Sequence, residues 1–339
     1  MTDQTLIRIV LASRPEGTPV PENFRIERAT VPTPADGEVL LKVRYLSLDP
    51  YMRGRMSAAK SYAAPVEIGA VMEGGTVAEV IDSRHRDFAV GDIVLSHSGW
   101  QTHALSNGEG LRKLDPTAAP VSTALGVLGM PGFTAWAGLL IIGKPQPGET
   151  VAVGAASGAV GSAVGQIARI KGARAVGIAG GASKCAFVRD ELGFDEVVDH
   201  RVPDLAEQLA AACPDGVDVY FENVGGAVWD AVFPLLNPFA RIPVCGLIAQ
   251  YNSIGPFEGP DRLPTVMGQV LAKSLTIRGF IQHEFADQRP VFYREMAGWI
   301  ESGQVKYRQD VVEGLENAPQ ALIGLLEGRN FGKLLIKVS

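Results

Sequence analysis

Residues 151–171, Val-Ala-Val-Gly-Ala-Ala-Ser-Gly-Ala-Val-Gly-Ser-Ala-Val-Gly-Gln-Ile-Ala-Arg-Ile-Lys, constrain the fold of this chain more than any other stretch. Val151–Val153 is a short apolar run suited to a buried strand, a glycine-containing turn follows, and Val164, Ile167, Ala168 and Ile170 then recur at helical spacing. A strand, a glycine turn and a helix in that order make a phosphate cradle, because the helix N-terminus offers free N–H groups and the positive end of its dipole. Gly158 lets the backbone come close to a pyrophosphate, and Gly161 lets the helix pack against the strand. Ala156 stands where the common G-x-G-x-x-G pattern has its first glycine. The context of strand, turn and helix nevertheless reads as a dinucleotide site within a doubly wound α/β domain.

The next strand, Ala175–Ala179, indicates which dinucleotide. NAD sites usually carry Asp or Glu at the end of this strand, where the carboxylate accepts from the ribose 2′-OH. Here Gly180-Gly181-Ala182-Ser183-Lys184 follows, with no acid. A carboxylate would repel a 2′-phosphate, whereas the Ser183 hydroxyl and the Lys184 ammonium would bind one. Lys184 is also readable as an ordinary solvated lysine, so the missing acid is the stronger half of the argument. NADP(H) is the expected cofactor.

A chain of 339 residues exceeds one typical core, so two domains are expected. The N-terminal part alternates β-branched runs with Pro and Gly turns, as in Glu38–Tyr45, Gly75–Val80 and Asp92–Leu95, and reads as a β-rich, barrel-like domain. From about residue 122 strands and helices alternate, with strands expected at Val151–Val153, Ala175–Ala179, Glu196–Asp199, Val217–Phe221, Arg241–Cys245 and Leu275–Phe280. That pattern is a parallel sheet with crossover helices. The tail carries a helix, Ala318–Leu326, and a last strand, Lys333–Val338, suited to pairing back with the first domain. The expected boundaries are 1–121, 122–299 and 300–339. A net charge of −6 with no basic stripe argues against nucleic acid and acidic membranes as partners. Met1-Thr2-Asp3-Gln4 shows no leader pattern, no apolar run approaches a membrane span, and three scattered cysteines (Cys185, Cys213, Cys245) suit a reducing cytoplasm.

Further motifs run in order along the chain: Leu11-Ala12-Ser13-Arg14-Pro15-Glu16-Gly17, Leu48-Asp49-Pro50-Tyr51-Met52-Arg53-Gly54, and Gly129-Met130-Pro131-Gly132-Phe133-Thr134-Ala135. After the glycine turn come Tyr220-Phe221-Glu222-Asn223-Val224-Gly225-Gly226, the run from Val244 to Asn252, and Asn330-Phe331-Gly332-Lys333. With these the chain resembles the medium-chain dehydrogenase/reductase superfamily. Within it, the likeness is to the branch of prostaglandin and alkenal double-bond reductases, above all the bacterial NADPH-dependent curcumin reductases. The resemblance covers nearly the whole chain. It implies a GroES-like catalytic domain that precedes and follows a Rossmann domain. It also implies that Gly158, Ala159, Val160 and Gly161 cradle the pyrophosphate and that Lys184 takes the 2′-phosphate. Asn223, the run Cys245, Gly246, Leu247 and Ile248 through Tyr251, the segment Phe280, Ile281 and Gln282, and Asn330 are implied around the ribose and nicotinamide, partly through backbone groups. His200 stands where prostaglandin reductases place a tyrosine near the 2′-phosphate, and reads either as a phosphate donor or as a loop histidine at a strand end.

A catalytic zinc needs Cys and His ligands in the first domain, and a structural zinc needs closely spaced cysteines. All three cysteines lie beyond residue 180, and Ile68-Gly69-Ala70-Val71 occupies the place of the Gly-His-Glu motif of the zinc branch. His85, His97 and His103 leave too few ligands, so no metal is expected. Without zinc to stabilise an alkoxide, reduction of a C=C bond conjugated to a carbonyl is the expected reaction: hydride reaches the β-carbon, and one hydrogen-bond donor stabilises charge on the enolate oxygen. Tyr51 and Tyr251 are the candidate donors, with the ribose 2′-OH of the cofactor as a possible contributor. Arg53 reads as an attractor of anionic substrate or as half of a surface ion pair. A quinone reductase of the same fold and a non-catalytic, crystallin-like dinucleotide-binding protein are the alternatives. A small-molecule enone or enal substrate and a homodimer formed through the edge of the Rossmann sheet (Pro243–Gly246 and Leu275–Phe280) complete the expectations.

Overall fold

Apolar runs such as Val39-Leu40-Leu41 and Val77-Ala78 carry the N-terminal part of the chain into strands, and glycine turns separate them. The computed structural model describes residues 5–253 and 261–339; Met1–Gln4, read above for a leader, lie outside the described residues. The strands are β1 (Thr5–Leu11), β2 (Phe24–Thr30), β3 (Val39–Ser47), β4 (Thr76–Ser83), β5 (Ile93–Ser96), β6 (His103–Ser106) and β7 (Arg112–Lys113), with a short helix α1 (Tyr51–Arg55) after β3. The second region begins with α2 (Met130–Ala137) and continues β8 (Thr150–Val153), α3 (Gly161–Ile170), β9 (Arg174–Ala179), α4 (Ala182–Ala186), β10 (Glu196–Asp199), α5 (Leu205–Ala212) and β11 (Val217–Phe221). It ends with α6 (Gly226–Val232), β12 (Leu236–Val244), α7 (Leu263–Lys273), β13 (Thr276–Gly279) and α8 (Arg289–Glu301). The chain closes with β14 (Gln309–Glu313), α9 (Ala318–Leu326) and β15 (Lys333–Lys337).

Two units result. One comprises residues 1–126 with 252–254 and 309–339, the other 127–251 with 255–308, beside the 121/122 and 299/300 boundaries expected from the sequence.

The first unit is sheet-rich. Its seven-stranded sheet runs β14-β15-β3-β4-β5-β7, with β6 also on β3, while β1 and β2 form a separate antiparallel pair. In the C-terminal segment, Leu335 pairs with Ser47 and Ile336 with Leu46. Ala318, Leu322 and Leu325 of α9 and Leu334 and Ile336 of β15 are buried among Ile9, Leu11, Phe24, Met52, Met56 and Trp100. Phe24 stacks on Trp100 with centroids 5.6 Å apart. Losing that tail would expose one side of an aliphatic and aromatic core, at about 1.5–3 kcal/mol for each large side chain uncovered.

The second unit holds a six-stranded parallel sheet in the order β10-β9-β8-β11-β12-β13. This is the doubly wound order, with the chain reversing direction across the sheet between β8 and β11. Residues of α5 and α6 cover one face with Ala152, Val176, Ile178 and Ile242. The Phe194 ring sits so close to Gly165 of α3 and Gly177 of β9 that an added Cβ would come within 2.0 and 2.9 Å of it, so both glycines let helix and sheet close on this ring. β12 starts at Leu236, earlier than the expected Arg241. Its first residues include Pro238 and an exposed Phe239 at φ +65°, and the pairing slips between Val217 and Val219, so a bulge disguises the strand start as a turn.

Candidate functional site

The candidate cofactor residues of the second unit gather where ligands bind in an open α/β sheet, at the C-terminal ends of its strands. After β8, Gly158 N–H donates to the Ala155 carbonyl at 2.8 Å, closing a tight turn, and Ala155 takes φ +51°. A Cβ on Gly161 would lie 2.4 Å from the Ala155 carbonyl oxygen, so only glycine lets α3 begin against this turn. The N–H groups of Ala159 and Val160 have no protein acceptor among the described residues. Free N–H groups at the start of a ten-residue helix, beside a glycine turn, fit a pyrophosphate.

Beyond β11 the loop is held by Glu222, fully buried, a residue that the sequence reading quoted within its motif without assigning a role. Its carboxylate accepts from Val224 N–H at 2.5 Å, from Gly225 N–H at 2.9 Å and from the Tyr220 hydroxyl at 2.8 Å. Burial raises its pKa despite these donors. So anchored, the loop presents Asn223, whose Nδ2 donates to the Gly154 carbonyl at 2.9 Å and ties the loops after β8 and β11 together. The signal for Glu222 was a lone carboxylate following an apolar strand, which must be satisfied locally if buried.

The run after β12 folds onto the same loop. Cys245 and Gly246 N–H donate to the Glu222 carbonyl, at 2.9 and 3.2 Å, and Ile248 N–H donates to the Asn223 carbonyl at 3.3 Å. The Cys245 thiol is pushed up to about 12 by burial and then by Glu222, so it stays neutral. The Tyr251 hydroxyl turns back on its own loop and accepts from Leu247 N–H at 3.4 Å. After β13, Phe280 is a packing residue, its ring 6.3 Å from that of Phe221. Ile281 N–H donates to Glu284, and Gln282 accepts from Arg289. The side chains of Phe280 and Gln282 are thus engaged within the unit.

Ser183 and Lys184 lie on α4, directly after the acid-free end of β9, and His200 follows β10 with its N–H on the Ala179 carbonyl at 2.9 Å. Burial, then the charge of Arg201, lowers the pKa of His200, leaving a neutral imidazole able to donate from one nitrogen.

In the first unit, Asn330 Nδ2 donates to the Gly332 carbonyl at 2.9 Å, in the turn before β15. Tyr51 opens α1 and is half-buried, with Arg55 5.8 Å from its ring centroid. Burial, followed by the negative charges of Asp49 and Glu73, raises its pKa above the ordinary 10.0. Its hydroxyl has no protein hydrogen-bond partner among the described residues. Arg53 is not half of a surface ion pair. It is buried, with Nε donating to Asn252 Oδ1 at 3.1 Å and Nη2 to the Gly17 carbonyl at 2.7 Å, so it ties loops together and does not face solvent.

Among the described residues no three His, Cys, Asp or Glu side chains converge as a metal site, and no helix is long and apolar enough to cross a membrane.

Residues 8–114 match the family described as the N-terminal domain of oxidoreductase, and residues 159–300 match the zinc-binding dehydrogenase family. The chain is 56% identical over 333 residues to the NADPH-dependent curcumin reductase of Escherichia coli, a match covering 98% of this chain and 96% of that protein. It is 41% identical over 326 residues to prostaglandin reductase 1 of Bos taurus, covering 95% of each. The crystal structure of CurA in complex with NADPH from Vibrio vulnificus superposes with a TM-score of 0.96 at 55% identity, covering 98% of this chain and 99% of that one.

Proposed function

The chain belongs to the medium-chain dehydrogenase/reductase superfamily, in its branch of prostaglandin and curcumin reductases, and on that premise we propose that it reduces the C=C bond of α,β-unsaturated ketones and aldehydes with NADPH. The reading is carried by near full-length identity to an NADPH-dependent curcumin reductase, together with a pyrophosphate turn whose donors are open. Bound NADPH supplies hydride to the β-carbon of the substrate. The backbone at Gly158, Ala159, Val160 and Gly161 holds the pyrophosphate; Ser183, Lys184 and His200 hold the 2′-phosphate. Asn223, the backbone from Cys245 to Ile248, the segment from Phe280 to Gln282, and Asn330 border the ribose and nicotinamide.

Of the candidate donors, Tyr51 has the better case. Its hydroxyl is uncommitted and its raised pKa keeps it protonated, so it can donate to the oxygen on which enolate charge collects. Tyr251 supports its own loop, and through it the cofactor-facing run.

NADPH oxidation measured against curcumin, 2-alkenals, simple enones and quinones, with products identified by mass spectrometry, tests the reaction. The saturated carbonyl compound is expected. An allylic alcohol as product, or turnover of quinones alone, would replace this reading.

Catalysis without a metal is part of the proposal, although one matched family is named for zinc. The cysteines at 185, 213 and 245 are free thiols in the second unit, where they supply no closely spaced set, and they suit a reducing, cytoplasmic setting. A homodimer is also proposed. β13 is an edge strand, exposed along its length, and α7 shows Leu263, Met267 and Leu271 to solvent at 62%, 56% and 84% exposure.

A further inference from the structure

The strand end that carries an acid in NAD sites is occupied here by Gly180, and the structure shows what fills the space beside it. A Cβ on Gly180 would lie 2.6 Å from His200 Nε2 and 3.1 Å from Arg201 Nε, and one on Gly181 would lie 3.3 Å from Arg201 Nη1. The imidazole and the guanidinium therefore close over two residues that have no side chains of their own. Gly181, at φ +93°, turns the chain directly into α4, which carries Ser183 and Lys184. The position of Arg201 is fixed through Asp199: Asp199 Oδ1 accepts from both Gly181 N–H and Arg201 N–H at 2.9 Å, pinning the turn after β10 to the turn after β9. The Arg201 guanidinium itself has no hydrogen-bond or ion-pair partner among the described residues. A planar donor fork thus lies at the end of β9, on a residue whose backbone is pinned, beside a neutral imidazole donor.

We propose that Arg201 is a second cationic ligand of the adenosine 2′-phosphate, acting with Lys184 to set the preference for the phosphorylated dinucleotide. This rests on the NADPH reading above. Arg suits the role because its fork matches phosphate oxygens and its charge persists at every working pH. The same charge offsets Asp199, whose carboxylate would otherwise repel a 2′-phosphate at this strand end. The glycine pair leaves room for the arrangement, since a Cβ at 180 would push the His200 imidazole aside and crowd the Arg201 guanidinium.

Calorimetric titration of the purified protein with adenosine 2′,5′-bisphosphate and with 5′-AMP tests the assignment without turnover. Wild type should bind the bisphosphate more tightly than AMP. Arg201→Gln should weaken the bisphosphate roughly tenfold, the equivalent of about 1.4 kcal/mol, and leave AMP unchanged. Arg201→Lys should keep part of the difference by retaining the charge without the fork. Arg201→Gln with the wild-type ratio between the two ligands overturns the proposal, as does an equal loss for both. If wild type does not distinguish the two ligands at all, the NADPH reading itself fails, and this inference with it.

Discussion

Lys333 Nζ lies 2.7 Å from Asp49 Oδ1 in the interior of the first unit, with side-chain exposures of 5% and 8%. The ammonium also donates to the Leu48 carbonyl at 2.8 Å, and the Ser47 hydroxyl donates to the other Asp49 oxygen. Two of the sequence motifs, Leu48–Gly54 and Asn330–Lys333, are therefore joined by one buried charge pair, which sits two positions before Tyr51 and three after Asn330. Burying a charge is unfavourable unless it is paired, so the partners stand or fall together. Lys333→Met or Asp49→Leu alone should destabilise the protein by about 3–5 kcal/mol, because each leaves an uncompensated buried charge. The double substitution should recover much of that loss, since apolar replacement of a whole pair is often close to neutral. Denaturant unfolding of the three variants measures this; additive single effects would contradict it.

Tyr51→Phe should lower kcat by ~10²–10³ with little change in KM, the usual effect of removing one donor to a developing oxyanion. The pH profile gives an independent check. A phenol donates only while protonated, and a pKa raised above 10.0 extends the protonated range upward, so kcat should show no alkaline loss assignable to this group below pH 10. Tyr251→Phe should act mainly on KM for NADPH, because its hydroxyl receives Leu247 N–H in the loop run that borders the cofactor. If Tyr51→Phe turns over normally, the donor lies elsewhere, with the cofactor 2′-OH the next candidate.

Lys184→Glu should raise KM for NADPH sharply and narrow the gap between NADPH and NADH, since a carboxylate repels the 2′-phosphate while a free 2′-OH can donate to it. Steady-state kinetics with both cofactors decides the matter. Equal efficiency with both in the unaltered protein would contradict the argument from the acid-free end of β9.

Prolonged dialysis against EDTA should leave activity intact, and elemental analysis should find no stoichiometric zinc. His85 Nδ1 accepts Asp87 N–H at 3.0 Å, His103 Nδ1 lies 3.0 Å from the Thr102 hydroxyl, and among the described residues no three His, Cys, Asp or Glu side chains converge. Loss of activity that zinc restores would refute metal independence.

Much of this architecture was legible because its determinants are local. The turn from Gly154 to Gly161 and the strands flanking it follow from apolar runs and glycine chemistry, and the structure reproduces the expected Glu196–Asp199 and Val217–Phe221 ranges. What stayed hidden depends on partners distant in sequence. Arg53 looks like a surface cation until Gly17 and Asn252 are brought against it. Glu222 looks like a solvated acid until its own loop closes on the carboxylate, and Arg201 is unremarkable until Gly180 leaves room for it. Phe280 and Gln282 sit in the expected segment, but their side chains are taken up by Phe221 and Arg289, which periodicity does not report.

Helix α7 is apolar on two sides, and that supports the proposed dimer. Val266 and Val270 pack toward the sheet, while Leu263, Met267 and Leu271, spaced four apart, form a stripe on the solvent side. A helix covering a core needs only one such face. Among the described residues the neighbouring strand β13 pairs with β12 alone, so its outer edge presents backbone groups without a strand partner there, with Ile277 39% exposed. A second copy related by a two-fold axis can satisfy both at once, pairing β13 antiparallel with itself and covering the stripe, because a two-fold interface is self-complementary. Light scattering at micromolar concentration should therefore give the mass of a dimer. Leu271→Lys combined with Met267→Lys should shift it toward monomer, while the far-ultraviolet circular dichroism stays unchanged because neither side chain belongs to the core. A monomer mass for the unaltered protein, or a dimer indifferent to both lysines, would place the interface elsewhere or remove it.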